Sequence, residues 1–215
     1  MIVVGHSGGV KPATEPPAPS VTERRRNVGL AGHTGDQATA RAALDDEAPS
    51  VRVSALGALD RLGALSDDDL RAALVDHASE VRRRACELTT GFPGVDVSKA
   101  LADADPSVVE MAAWAVGERG DRTSVGELSK LASAGSGHGD PLCREAAVAA
   151  LGAIGDPRGL PAILDALTDK PAIRRRAAVA LAAFEGPSVD AALHRCLGDR
   201  DWQVRQVAED LLAVE

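Results

Sequence analysis

Apolar residues along most of the chain are spaced as on one buried face of an α-helix, and this spacing returns about every 31 residues. Six helices are predicted to begin at an apolar residue, here called the anchor: Val51, Val81, Val108, Cys143, Ile173 and Val204. An alanine follows each anchor by four residues, at Ala55, Ala85, Ala112, Ala147, Ala177 and Ala208. Positions zero, four and eight share one helix face. An alanine at the same point of every repeat is expected where two helices approach closely.

A second, shorter helix is predicted before each anchor, ending in Leu44, Leu74, Leu101, Leu131, Leu167 or Leu197. The turn between the two helices carries Asp and often Pro, and proline is tolerated in the first turn of a helix. Gly63, Gly120 and Gly155 are candidates to end three of the longer helices. The pattern therefore predicts a helical hairpin repeated six times, after a partial leading helix at about residues 21–31.

The repeated pattern is most nearly complete in DEAPSVRVSALGAL, from Asp46 to Leu59, which reads D-x-x-P-x-V-R-x-x-A-x-x-x-L. It resembles the HEAT repeat, specifically the compact phycobilisome-lyase-type (PBS lyase HEAT-like) form. Val109 departs from it, because it stands where the repeat has arginine. The resemblance covers about residues 21–215. It implies an all-α fold, an armadillo-like α-solenoid of about six HEAT-type hairpins stacked on their neighbours.

The first twenty residues differ from the rest of the chain. They contain Pro12, Pro16, Pro17 and Pro19 among small and polar residues, and this composition has too little apolar surface to offset ordering. We therefore predict two regions, a disordered proline-rich tail at residues 1–20 and a solenoid at residues 21–215.

Composition narrows the classes of function. A net charge of −8 and a pI near 5.2 argue against nucleic acid as the partner. Cys86, Cys143 and Cys196 lack the paired spacing of a disulfide framework or zinc site. No apolar run reaches the roughly 20 residues of a membrane span. We therefore expect a cytoplasmic, bacterial, monomeric protein with no cofactor and no metal.

Arginine follows the anchor at Arg52, Arg82, Arg144, Arg174 and Arg205. The resemblance implies that this residue pairs with an aspartate of a turn, such as Asp46, Asp76 or Asp199, and forms a ladder between repeats. Three arginine triplets, at 24–26, 82–84 and 174–176, suggest instead a site for phosphate, nucleic acid or an acidic partner. Acidic residues at the corresponding positions of the middle repeats interrupt any basic stripe.

The resemblance also implies that the second helix of each repeat lines the concave face, with positions two, six and nine after the anchor directed towards a ligand. The candidate partner-binding residues on this stripe are Arg83, Glu87, Glu110, Trp114, Glu145, Arg175, Gln206 and Asp210. Trp114 falls near the middle, and exposed aromatic residues are common anchors of binding surfaces. The alternative is that Trp114 packs between repeats. Trp202, in the last repeat, is expected to cover the end of the solenoid.

No catalytic motif stands out. HEAT-repeat hydroxylases bind iron through repeated His-Glu pairs, but none of the five histidines is followed by Glu. The sequence favours a non-catalytic scaffold that binds a protein partner through its concave face, although enzymatic activity stays an open question. The resemblance leaves one alternative, phycobilin-lyase-like or chaperone-like handling of a linear tetrapyrrole. Phosphate or nucleic-acid binding through the arginine triplets is the third.

Overall fold

A computed structural model describes residues 18–213, and within that range the chain forms twelve α-helices, short 3₁₀ turns and no strand. Most of the predicted tail, residues 1–17, lies outside the described residues. The helices are α1 (Val21–Thr34), α2 (Gln37–Ala42), α3 (Pro49–Arg61), α4 (Asp67–Ala73), α5 (Ser79–Leu88), α6 (Pro106–Glu118), α7 (Val125–Ala132), α8 (Pro141–Ile154), α9 (Leu160–Ala166), α10 (Pro171–Ala180), α11 (Pro187–Cys196) and α12 (Trp202–Leu212).

The helices form two layers. The six second helices predicted from the anchors are α3, α5, α6, α8, α10 and α12, each packing on the next. α1, the predicted leading helix, packs on α3 and so begins this layer. The first helices form the other layer. Three of the longer helices end where glycine was expected, at Gly63, Gly120 and Gly155, whose positive φ angles suit a residue without Cβ.

One first helix differs from the prediction. The residues before α6 form a 3₁₀ helix, Ser98–Ala102, instead of an α-helix. This repeat has the shortest anchor interval, 27 residues, and Pro93 and Gly94 occupy part of it. Pro93 and Gly94 form a turn, and Arg119 donates hydrogen bonds to the carbonyls of Val95 (2.6 Å) and Pro93 (2.9 Å).

The core lies between the two layers and confirms the helix phase read from the sequence. All six anchors are at most 2% exposed, and all six alanines at position four are fully buried. The buried apolar residues form two clusters, one from Val28 to Val95 and one from Cys86 to Ala208, and both include residues of α5. Within each cluster the core continues from one repeat to the next, because each second helix contributes the same face.

Ala147→Leu should lower the free energy of unfolding by about 1 to 3 kcal/mol, because Ala147 of α8 is fully buried and has no room for three more carbons. Ala153→Leu, on the exposed face of the same helix, is the matched control and should stay within about 0.5 kcal/mol of wild type. Urea denaturation followed by circular dichroism measures both. Equal midpoints for the two variants would contradict the packing described here.

The predicted arginine ladder is present, with one difference. Arg205 has no carboxylate partner within the described residues and donates to the Asp199 carbonyl at 2.7 Å, whereas Arg24 of α1 forms a rung. In each rung the Nε and Nη2 of an arginine donate to both carboxylate oxygens of an aspartate in the next repeat, at 2.7 to 3.0 Å. The rungs are Arg24–Asp46, Arg52–Asp76, Arg82–Asp103, Arg144–Asp169 and Arg174–Asp199. Such bidentate pairs are strong and directional. They therefore fix how each repeat sits on the next.

The ladder also affects the acid groups that form it. Hydrogen bonds from the facing guanidinium hold the pKa of Asp103, Asp169 and Asp199 below its usual range. From Arg52 onwards, the remaining nitrogen, Nη1, of each ladder arginine donates to a backbone carbonyl of the turn before its own helix, as Arg52 does to Asp46 at 2.8 Å. Each of these arginines thus joins three segments of chain.

The seam between α6 and α8 has no rung, and both partners differ there. Val109 takes the place of the arginine and is fully buried, while His138 takes the place of the aspartate. The Nδ1 of His138 accepts a hydrogen bond from the Asp140 N–H at 3.1 Å, as four of the five ladder carboxylates accept from the residue two further on. Here the two helices meet through apolar contacts instead of an ion pair.

Candidate partner-binding groove

An open groove of about 460 Å³ lies between α6 and α8. Glu110, Trp114 and Glu118 project from α6 on successive turns, since residues four apart share a helix face. The opposite wall is apolar and comes from α8. It consists of Leu142, Ala146, Ala149 and Ala153, with Glu145 beside them.

Small residues create the space. Gly117 of α6 lies against Ala150 of α8 so closely that a Cβ on the glycine would be 2.9 Å from the Ala150 Cα. The helix backbones therefore approach at the floor of the groove, and the α8 alanines leave room above it. Trp114 is 41% exposed, so its ring is not enclosed between the repeats. Leu142, on the opposite wall, is 56% exposed.

The groove is acidic. Glu87 pairs with Arg84 at 2.7 Å, and Glu145 lies 3.6 Å from Arg176. Glu110 and Glu118 have no salt bridge to any residue in the described part of the chain. The two carboxylates without a cation thus stand one turn before and one turn after the exposed indole.

Four of the sequence-predicted site residues come together here: Glu87, Glu110, Trp114 and Glu145. The others do not line the groove. Arg83 is exposed on α5. Gln206 and Asp210 are exposed on α12, where the amide of Gln206 donates to Asp210 at 2.8 Å.

Arg175 was predicted to flank the site, but it lies at the seam between α10 and α12. Its Nε is 3.2 Å from Asp201, and its Nη1 donates to the Gln203 side chain at 2.6 Å. The next residue, Arg176, lines the groove instead. In the repeat of α6, position nine also differs from expectation: Gly117 was expected to face a ligand, but it is buried against α8.

The residues that the sequence did not indicate lie mostly three and ten positions after the anchor. They are Met111, Ala146 and Arg176 at position three, and Glu118 and Ala153 at position ten. At 3.6 residues per turn, positions three and ten share a face with positions six and two. A wider helix face, read from the same spacing, contains all of them.

Six of the nine arginines of the triplets are paired with carboxylates. The first arginine of each triplet, Arg24, Arg82 or Arg174, belongs to a ladder rung. Arg84, Arg175 and Arg176 each face a carboxylate. Within residues 18–213, this leaves Arg25, Arg26 and Arg83 as the triplet members without an ion pair.

The cysteine thiols are all buried. Burial raises the pKa of Cys86 to about 12 and that of Cys143 to about 11. The Cys143 thiol lies 3.2 Å from the Pro106 carbonyl, to which it donates. At neutral pH these two thiols are therefore protonated.

Trp202 begins α12 and is 63% exposed. No helix in the described range is both long and apolar enough to cross a membrane.

Comparison with known proteins identifies the repeat. A family model described as HEAT repeats matches residues 96–179 and 136–213. The chain belongs to the HEAT-repeat family. No curated protein sequence matches it.

Solved structures share the architecture of this HEAT-repeat chain. A chain of the CpcE–CpcF complex of phycocyanin lyase from Nostoc sp. PCC7120 has a TM-score of 0.58 at 24% identity, covering 96% of this chain and 81% of that one. YibA from Escherichia coli gives 0.61 at 17% identity, covering 93% and 77%. An engineered protein gives 0.56 at 22%, covering 88% and 95%. At these identities the similarity shows the fold: an all-helical HEAT solenoid.

Proposed function

We propose that the protein is a non-catalytic scaffold that binds a protein partner in the groove between α6 and α8. The observation that carries the proposal is the pairing of Trp114 with an apolar α8 wall in an open groove with an acidic rim. Large exposed apolar side chains framed by polar residues are typical of interaction sites. Tryptophan is among the residues that contribute most to binding energy at interfaces.

A photocrosslinking residue at Ala149, inside the groove, tests the proposal in the cells that produce the protein. We expect one defined protein adduct. Ala191 is the control position, because it is exposed on α11 in the layer of first helices. Adducts of the same pattern from both positions, or none from Ala149, would contradict the proposal.

Trp114→Ala should weaken binding of the crosslinked partner by about 2 kcal/mol or more, because the indole is an exposed anchor. Its cost to the free energy of unfolding should stay below the roughly 3 to 5 kcal/mol of a fully buried tryptophan. Calorimetric titration and urea denaturation of the same variant measure the two quantities. Trp202→Ala, outside the groove, should leave affinity unchanged. Lost stability with unaltered affinity would assign Trp114 to packing.

Handling of a linear tetrapyrrole is the second candidate. It rests on the similarity in fold to a chain of the phycocyanin lyase complex. The charge of the groove argues against it, since the propionate groups of such a pigment would face four glutamates, with Arg176 as the cation among the described lining residues. A shifted visible absorption band on mixing the protein with a bilin would support this candidate over the first.

A further inference from the structure

We propose that the groove binds a basic, partly apolar segment of its partner, with an arginine side chain stacked on Trp114 between Glu110 and Glu118. This inference rests on the proposed function and adds the chemistry of the partner. It follows from three features of the groove: its uncompensated charge, its aromatic surface and its apolar wall.

The helix α6 carries negative charge that no basic residue of the same helix offsets. Within α6 there is no basic residue, and Glu110 and Glu118 lack an ion pair in the described part of the chain. A ligand that enters the groove removes water from these carboxylates. An acidic or neutral ligand would leave them desolvated without compensation, which is costly, whereas a cation offsets that cost. The net charge of −8 favours encounter with a basic partner as well.

The aromatic surface decides the kind of cation. An indole is the best of the aromatic side chains for a cation placed over its face. Arginine suits this position better than lysine, because its planar guanidinium stacks on the ring while its N–H groups reach carboxylates at the sides. Glu110 and Glu118 are placed one turn on either side of Trp114 to accept those hydrogen bonds.

The apolar wall of α8 indicates which residues should stand next to the arginine in the bound segment. Leu142 is exposed, and Ala146, Ala149 and Ala153 continue its surface along α8. An apolar residue next to the arginine gains from burial against this wall. The lining therefore fits a segment in which arginine and aliphatic residues alternate, such as an extended peptide with its two sets of side chains facing α6 and α8.

The test uses the fluorescence of Trp114. The chain has two tryptophans, so Trp202→Phe leaves Trp114 as the single reporter. The probe is an eight-residue peptide of alternating arginine and leucine, and its matched control replaces each arginine by the uncharged analogue citrulline. We expect the arginine peptide to shift Trp114 emission saturably, and the citrulline peptide to bind at least about tenfold more weakly. The affinity should fall as salt is added.

The carboxylates are tested in the same background. Glu110→Gln with Glu118→Gln should weaken binding of the arginine peptide by about tenfold or more. Glu80→Gln with Glu209→Gln is the matched control, because it removes the same two charges from exposed positions outside the groove. That control should bind within about twofold of the parent.

Three results would overturn the inference: equal binding of the citrulline peptide, equal affinity of the two double variants, or no change in Trp114 emission at about 1 mM peptide. Emission that depends on protein concentration without peptide would overturn it too, and would assign the groove to a second copy of the chain. If any of these occurs while Ala149 still crosslinks a partner, the proposed function stands and only the chemistry is wrong. Peptide binding without a crosslinked partner would support the proposed chemistry of the groove and contradict the proposed function.

Discussion

Asp169→Ala is expected to lower the free energy of unfolding by about 3 to 5 kcal/mol, as for other buried ion pairs that lose one partner. The side chains of Arg144 and Asp169 are 10% and 5% exposed, and the guanidinium donates to both carboxylate oxygens. Removing the carboxylate leaves Arg144 desolvated without its counter-ion. Urea denaturation followed by circular dichroism gives the difference.

Two controls define the origin of that loss. Asp68→Ala removes a partner of Arg71 that is 93% exposed, and should cost at most about 1 kcal/mol. Arg144→Val with Asp169→His removes both charges and copies the Val109 and His138 combination of the neighbouring seam. Because no unpaired charge remains, this double variant should recover most of the stability lost in Asp169→Ala. An Asp169→Ala cost no larger than that of Asp68→Ala would show that the rung does not stabilise the fold.

Gly117→Ala should destabilise the protein by about 1 to 3 kcal/mol. Its new Cβ would lie 2.9 Å from the Ala150 Cα and 3.0 Å from the Ala150 Cβ, so α6 and α8 would have to move apart. In a helix interior without such a neighbour, the same substitution stabilises by about 0.5 to 1 kcal/mol.

Gly29→Ala provides that comparison. Gly29 lies inside α1, and a Cβ there would meet no atom within 4 Å. The two variants should therefore change the free energy of unfolding with opposite signs in the same denaturation experiment. A gain in stability for both would show that α6 and α8 do not meet as closely as described.

The groove lies over the seam where the ladder is interrupted. Elsewhere an arginine and an aspartate join two repeats, but at the seam between α6 and α8 the buried Val109 takes the place of the arginine. The close contact of Gly117 with Ala150 is not special to this seam, since Gly152 meets Ala180 in the same way. Helix α6 also carries Trp114 and its two glutamates. The repeat that lacks the ladder arginine is thus also the one that carries the exposed tryptophan.

The sequence by itself determined the repeat and its helix phase. The anchors and the alanines four residues later are buried as predicted, because the period of a helix fixes which side chains share a face. The aspartate–arginine pattern also indicated the ladder, since three of the five rungs join the arginine after one anchor to the aspartate five residues before the next. These features depend on spacing along the chain, which the sequence states directly.

The tertiary structure decided what happens at the seams between helices. It placed Arg176 in the groove and Arg175 against Asp201, buried Gly117 and left Trp114 exposed. Glu87 pairs with Arg84, whereas Glu110 has no ion pair among residues 18–213. From helix spacing alone, several residues of one helix could lie on the same exposed face. The distance and angle of the neighbouring helix determine which of these residues are exposed. Both depend on turn lengths and side-chain volumes in a different repeat.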